Sequence, residues 1–451
     1  MQGSPVTEES ARGSSDAHCK TEVPYSSDAH CKNEVPYPVI VANDSSSPVV
    51  DVDCWRGWLV VIAAACSLFV YLGIIYSWGV LQVQLLESTS SSLTILTFIG
   101  SLATSFMVSI SIPTGLIIRR WGYRRTALIG AVLMGLGELL TSWVTEQVGA
   151  LFVTHGIIFG VGGGFTILAC STGPLQWFEK HRGLATGIVF GGGSLGAAVM
   201  SVATNVMVKT LPLEWIFRIL AILLWGVCIP AACLIRQPIL AKKSIPRPQW
   251  YRFREKEFLI LFVGSGLACF PLFVPPYFIP IFARSATHSQ PIAVIMLAIW
   301  NVASTVGRVV AGFLSDTFLG PINSLLLSLA LAGISALVIW PFSSTAGVLA
   351  VFVVFNGIGC GAFFSLVPSV IGAMFGSKNT LGILPIVWAG WFVGFFFGSP
   401  IASGLYSLSG RAENIDSYRP AAYYAGAMSI IGLLFTIGLR SIYTKHVFVR
   451  V

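Results

Sequence analysis

The stretch "IMLAIWNVASTVGRVVAGFLSD", Ile295 to Asp316, is apolar or small at nearly every position, yet Arg308 stands inside it with no acid before the closing aspartate. A guanidinium at the centre of a membrane helix costs at least about 2.5–3.5 kcal/mol, and more against bare lipid. Reading the run as a membrane helix therefore requires a reason for the arginine. In helical register Asn301, Ser304, Thr305 and Arg308 fall at i, i+3, i+4 and i+7, on one face. Such a stripe should face protein or a water-filled cavity.

Composition supports the membrane reading. Of 451 residues 55% are hydrophobic and only 10% charged, whereas soluble domains carry about a quarter charged residues. Nine scattered cysteines have neither disulfide-framework nor zinc-site spacing. From Trp58 onward twelve apolar runs reach spanning length, near 58–81, 93–118, 126–145, 148–173, 183–208, 215–235, 258–282, 291–315, 321–342, 345–375, 380–408 and 420–440. The expected fold is an all-α integral membrane protein, twelve transmembrane helices in two six-helix pseudo-symmetric bundles. Residues 55–236 and 258–440 form the bundles, the basic stretch 237–257 links them, and 441–451 is a short tail. Residues 1–54 are Ser-, Asp-, Glu- and Pro-rich, without a secretory signal, and are expected to be disordered. They hold a tandem duplication, "SSDAHCKTEVPY" then "SSDAHCKNEVPY", whose His-Cys pairs we read as no metal site.

Basic residues orient this map. With the N-terminus inside, 21 of the 27 lysines and arginines fall on inner segments. Only Lys209, Arg284, Arg411 and Arg419 lie on outer loops, and Arg218 and Arg308 lie within spans. The positive-inside rule thus puts both termini in the cytoplasm. The +8 net charge is a topology signal, not a nucleic-acid footprint.

Two loops match between the halves. "GLIIRRWGYRR" follows the second span and "GFLSDTFLG" the eighth, and their first glycines, Gly115 and Gly312, are 197 residues apart. A duplicated unit with a site between the copies is how many secondary transporters are built. Both loops resemble the signature loop of the major facilitator superfamily, and "QWFEKHRGLATGIVFGGGSLG" is similar to a block of its monocarboxylate porters. "YSWGVLQ", "VGRVVAGFLSD" and "FFFGSPIASGLY" resemble the fungal branch. The resemblance spans residues 53 to 440 and implies a carrier working by alternating access, without cofactor. It places the cytoplasmic gate at Gly312 and Asp316, with Arg124 and Arg125 of the first loop. Arg119 replaces the acid usual in that first loop. Tyr76 and Ser304 stand where proton-coupled animal members carry a lysine and an aspartate.

Arg308 suits an anionic substrate, because its planar fork binds a carboxylate through two parallel hydrogen bonds. The bland alternative is snorkelling toward headgroups or bonding backbone carbonyls. Asn301, Ser304 and Tyr76 are expected to add polar contacts. Tyr277, in the four-proline stretch "FPLFVPPYFIP", is a candidate wall or gate residue in a span that must break or kink. Asn356 is a buried amide in need of a partner. Glu138 and His155 are the proton-coupling candidates, although an ion pair of Glu138 with Arg218 competes with that role. The runs "FGVGGGF" and "FGGGSLG" lack the Lys-Ser/Thr ending of a phosphate loop and fit close helix packing. Outside the N-terminal tail, no clustering of His, Asp, Glu or Ser suggests an enzyme. The expected partners are a small organic anion or acidic metabolite and membrane lipid, with a monomer as the functional unit. Its place is the plasma membrane, with an internal membrane such as the vacuole as the alternative.

Overall fold

The computed structural model describes residues 55–89, 91–178, 181–236, 247–287, 289–376, 379–409 and 415–443. The duplicated tail, residues 237–246 of the expected linker and residues 444–451 lie outside them. Among the described residues every regular element is helical. In the first half these are α1 (Trp55–Ser88), α2 (Leu93–Ser109), α3 (Ser111–Trp121), α4 (Tyr123–Thr141), α5 (Val148–Leu151), α6 (Gly160–Thr172), α7 (Arg182–Thr210) and α8 (Leu213–Leu234). The second half holds α9 (Lys256–Ala268), α10 (Val274–Thr287), α11 (Gln290–Thr317), α12 (Pro321–Ile334), α13 (Ala346–Phe375), α14 (Thr380–Gly390), α15 (Phe392–Leu408) and α16 (Arg419–Tyr443).

Nine of the described helical runs are long and apolar enough to cross a membrane, and ten do so when α2 and α3 count as one bent span. The 45° bend between those two has a local cause. Pro113 lacks an N–H, and its ring clashes with the carbonyl of Ser109 four residues earlier. Two expected spans fall outside the ten. Helix α4 carries Arg124, Arg125 and Glu138. The seventh is divided into α9 and α10 by a turn containing Pro271, the break expected of its prolines. Pro275 and Pro276 then sit in the first turn of α10, where a missing N–H costs nothing.

The two matched loops adopt the same backbone. Gly122 (φ 84°, ψ 168°) and Gly320 (φ 78°, ψ 163°) each open the following helix from the positive-φ region that a side chain would disfavour. Helix α7 lies at the centre, packed on α1 and on α11. It does so through glycines on two faces. Gly192 and Gly196 lie against the α1 backbone at Ala65 and Phe69, while Gly183 and Gly187 lie against the α11 backbone at Gly312 and Arg308. Lipid offers no hydrophobic drive between helices, so close backbone approach through small residues supplies the contact instead.

Candidate functional site

Arg308 is buried, with 1% of its surface exposed, and it turns inward rather than toward a headgroup layer. Its Nη1 donates to the carbonyl of Phe190 on α7 at 2.6 Å, and its Nη2 donates to the Tyr76 hydroxyl of α1 at 3.2 Å. The guanidinium carbon lies 5.1 Å from the centre of the Phe364 ring. Its Nε has no partner and no described acid pairs with it. The cation is thus held by one carbonyl, one hydroxyl and a ring face, with a donor left over in a medium that strengthens any bond to an anion.

The rest of the stripe fans out. Asn301 Nδ2 bonds the Leu297 carbonyl in its own helix, and its Oδ1 has no partner. Ser304 packs against Gly361 of α13, its hydroxyl unpartnered, whereas Thr305 reaches the Gly191 carbonyl of α7 at 3.4 Å. Asn356 lies apart in a structural web. Its Oδ1 accepts from Trp300 Nε1 at 3.0 Å, and its Nδ2 donates to the Ala332 carbonyl and the Ser335 hydroxyl. Above Arg308, Tyr76 stacks on Phe273 (5.2 Å) and tilts against Trp300 (6.1 Å). Phe273 in turn contacts Tyr277, whose buried hydroxyl has no partner.

Beyond this aromatic layer, toward the end of the molecule that carries Lys209, lies a cavity of about 740 Å³ between the two halves. Gly79, Gln84, Asn205, Lys209, Arg284 and Leu297 are among its lining residues, and no acid is among the described ones. Sequence reasoning missed this site. Its signal was present in the basic-residue count, because Lys209 and Arg284 are two of the four basic residues expected on outer loops.

The opposite end is shut. The Asp316 carboxylate accepts from the backbone N–H of Gly183 at 3.1 Å and of Leu184 at 3.0 Å, so an acid of the second half caps the N-terminus of α7 in the first. Gly312 meets the Gly183 backbone beside it. On the other flank Ser111 donates to the Pro385 carbonyl at 2.6 Å, joining α3 to α14. Arg124 and Arg125, expected at the same gate, are exposed in the first turn of α4 and form no ion pair among the described residues.

A correction concerns the ion pair weighed between Glu138 and Arg218. The partner of Glu138 is His155, Nδ1 to Oε1 at 2.9 Å, with both side chains buried. Arg218 instead lies over the Trp215 ring of its own helix. His155 belongs to a π-helical segment, Phe152–Phe159. Such a segment rotates side chains out of α-helical phase and is frequent at functional sites.

Comparison with known proteins agrees with this architecture. The family model "Major Facilitator Superfamily" matches residues 63–350 and 261–446. The chain belongs to the major facilitator superfamily, whose members are transporters and not enzymes. It is 26% identical to the MFS transporter asaE of Aspergillus flavus, over 86% of this chain and 87% of that one. It is also 26% identical to the fujikurins efflux protein of Gibberella fujikuroi (86% and 83% covered). With the aspyridones efflux protein apdF of Emericella nidulans it shares 25% identity (84% and 77% covered). The crystal structure of the human organic anion transporter MFSD10 (TETRAN) superposes with a TM-score of 0.68 at 12% identity, covering 84% of this chain and 99% of that one.

Proposed function

We propose that this protein is a secondary active carrier that exports an acidic secondary metabolite by alternating access, with twelve crossings, two bundles and cytoplasmic termini. The observation that carries it is Arg308: a buried guanidinium without a described acid, at the crossing of α1, α7 and α11, with a cavity between the halves beyond it. The sealed Asp316 end and the cavity at the other end fit one of the two states such a cycle needs. Relatives named as efflux proteins favour export. Cavity size favours a metabolite over a short monocarboxylate, since about 740 Å³ falls in the 300–1,000 Å³ range of drug-sized ligand sites. The monocarboxylate porter-like branch and the plasma membrane complete this reading.

The driving force is a proton gradient acting through Glu138 and His155. A pH-indifferent facilitator is the second reading, favoured by one observation: Tyr76 occupies the position of a coupling lysine and bonds Arg308 instead. The test is flux of labelled aromatic acids and short monocarboxylates in proteoliposomes, with and without a pH gradient, beside Arg308→Gln. Flux of the larger acids that needs Arg308 supports the carrier. Equal flux through Arg308→Gln removes Arg308 from recognition and overturns the reading.

A further inference from the structure

The rim of the large cavity has a chemistry of its own. Lys209, in the last turn of α7, and Arg284, on α10, line it from opposite halves and are both exposed. Neither forms an ion pair among the described residues. Arg419, another outer basic residue, is bridged to Asp416 at 3.1 Å and lies over Phe342. Two cations are therefore kept at the rim, against the charge bias of the rest of the chain, and face a cavity with no described acid in its wall.

An independent feature stands beside them. Tyr406 and Tyr418 line the same cavity, stacked at 4.6 Å, with their hydroxyls 3.4 Å apart. The Ser285 hydroxyl, next in sequence to Arg284, lies 3.0 Å from the Tyr418 hydroxyl. The partly exposed Tyr406 ring, backed by the buried Tyr418, and these hydroxyls thus adjoin the cations. Depth separates this rim from the buried guanidinium. Leu297 lines the cavity, and Arg308 lies eleven residues further along the same helix, roughly 16 Å at 1.5 Å per residue. A molecule held at the rim does not reach the guanidinium without passing the Tyr76–Phe273–Trp300 layer.

We propose that Lys209 and Arg284, with the Tyr406–Tyr418 wall, form a second anion site for an aromatic organic anion, its carboxylate or phenolate between the two cations and its ring along the tyrosines. Binding there is a property of the rim alone. Its role as a waypoint for an anion leaving Arg308 rests on the carrier reading. Two like charges around a concave wall focus their field on the space between them, which both attracts the anion and discriminates against cations.

The test is equilibrium binding of 6-hydroxy-2-naphthoic acid, followed by its own fluorescence, to the full chain in neutral phosphatidylcholine nanodiscs. Its methyl ester is the uncharged control. The acid is expected to bind more tightly than the ester. Lys209→Gln and Arg284→Gln should each weaken the acid by about three- to tenfold, as for partly exposed charges, with the difference shrinking at high salt. The doubly conservative variant Lys209→Arg/Arg284→Lys should stay within about twofold of the parent, since it keeps both charges. Thermal unfolding of every variant identifies any that fail to fold. Equal binding of acid and ester, or parental affinity in the double Gln variant, overturns the site. The two readings fail separately. Rim-dependent binding with no anion flux in proteoliposomes sinks the carrier and keeps the site; Arg308-dependent flux with an unaffected double Gln variant does the reverse.

Discussion

His155 Nδ1 lies 2.9 Å from Glu138 Oε1 in a part of the first half that solvent does not reach. The imidazole stacks on Trp78 at 4.2 Å and on Phe159 at 4.9 Å, while Glu138 Oε2 and His155 Nε2 have no partner. Each member is tolerable only with the other. Removing one partner of a buried pair strands the second, at about 3–5 kcal/mol, whereas replacing both by apolar groups is often close to neutral. His155→Leu should therefore lower the unfolding temperature sharply, and Glu138→Leu/His155→Leu should recover much of the loss. Strictly additive losses in a double-mutant cycle would mean the two do not act as a pair.

On the proposed proton-driven reading, the same pair predicts how coupling fails. Glu138→Gln keeps an oxygen to accept from His155 Nδ1 and removes the carboxylate. Flux stimulated by an imposed pH gradient in the parent should proceed in Glu138→Gln at a rate indifferent to that gradient. A preserved gradient response in this variant would move the coupling site elsewhere and favour a different acid.

Arg308 and Tyr76 make a third case. Hydrogen bonds to charged groups contribute about 1.5–3 kcal/mol, so Tyr76→Phe should lower the unfolding temperature and raise the KM for an anion. Arg308→Lys should not restore what Arg308→Gln loses. An ammonium on a shorter stem cannot reach the Phe190 carbonyl and the Tyr76 hydroxyl with one planar fork. Measured KM and kcat for the three variants check this; full activity in Arg308→Lys would reduce Arg308 to a point charge.

Local patterns in the chain foretold some of these features and not others, for physical reasons. The stripe ending at Arg308 was legible because helical period alone puts it on one face. Glu138–His155 was not legible as a pair. The choice between His155 and Arg218 as partner depends on helix rotation, which the π-helical segment at Phe152–Phe159 alters. The duplicated loops made Asp316 visible but not the helix start that it caps. Its bonds to the free N–H groups of a helix start in the other half carry no sequence signature of their own. The rim cations could be seen only as exceptions to a charge bias.

Asp316 predicts a local change at the sealed end. Its carboxylate holds the Gly183 and Leu184 amides, and loss of an N-terminal cap costs about 0.5–2 kcal/mol. Asp316→Ala should speed hydrogen exchange at the start of α7 by about two- to thirtyfold while leaving the middle of α4 unchanged. Exchange that is unaltered at the α7 start would show that this cap does not hold the end closed.

Gly187 offers the sharpest steric test of the same seal. A Cβ built there would meet the Arg308 carbonyl oxygen at 2.6 Å and the Val309 Cα at 3.2 Å, both backbone, so neither can swing aside. Gly187→Ala must push α7 away from α11 and carry the Phe190 carbonyl off Arg308 Nη1. The contrast is Gly226→Ala on α8, where nothing lies within 4 Å of the added carbon. There the change removes backbone freedom from the unfolded chain and should be neutral or stabilising by up to about 1 kcal/mol. Gly187→Ala should instead lower the unfolding temperature, and flux with it, because the methyl disturbs the helix crossing that positions the guanidinium. Equal unfolding temperatures for the two variants would show that the α7–α11 contact opens without cost, and that Arg308 does not depend on the glycine beside it.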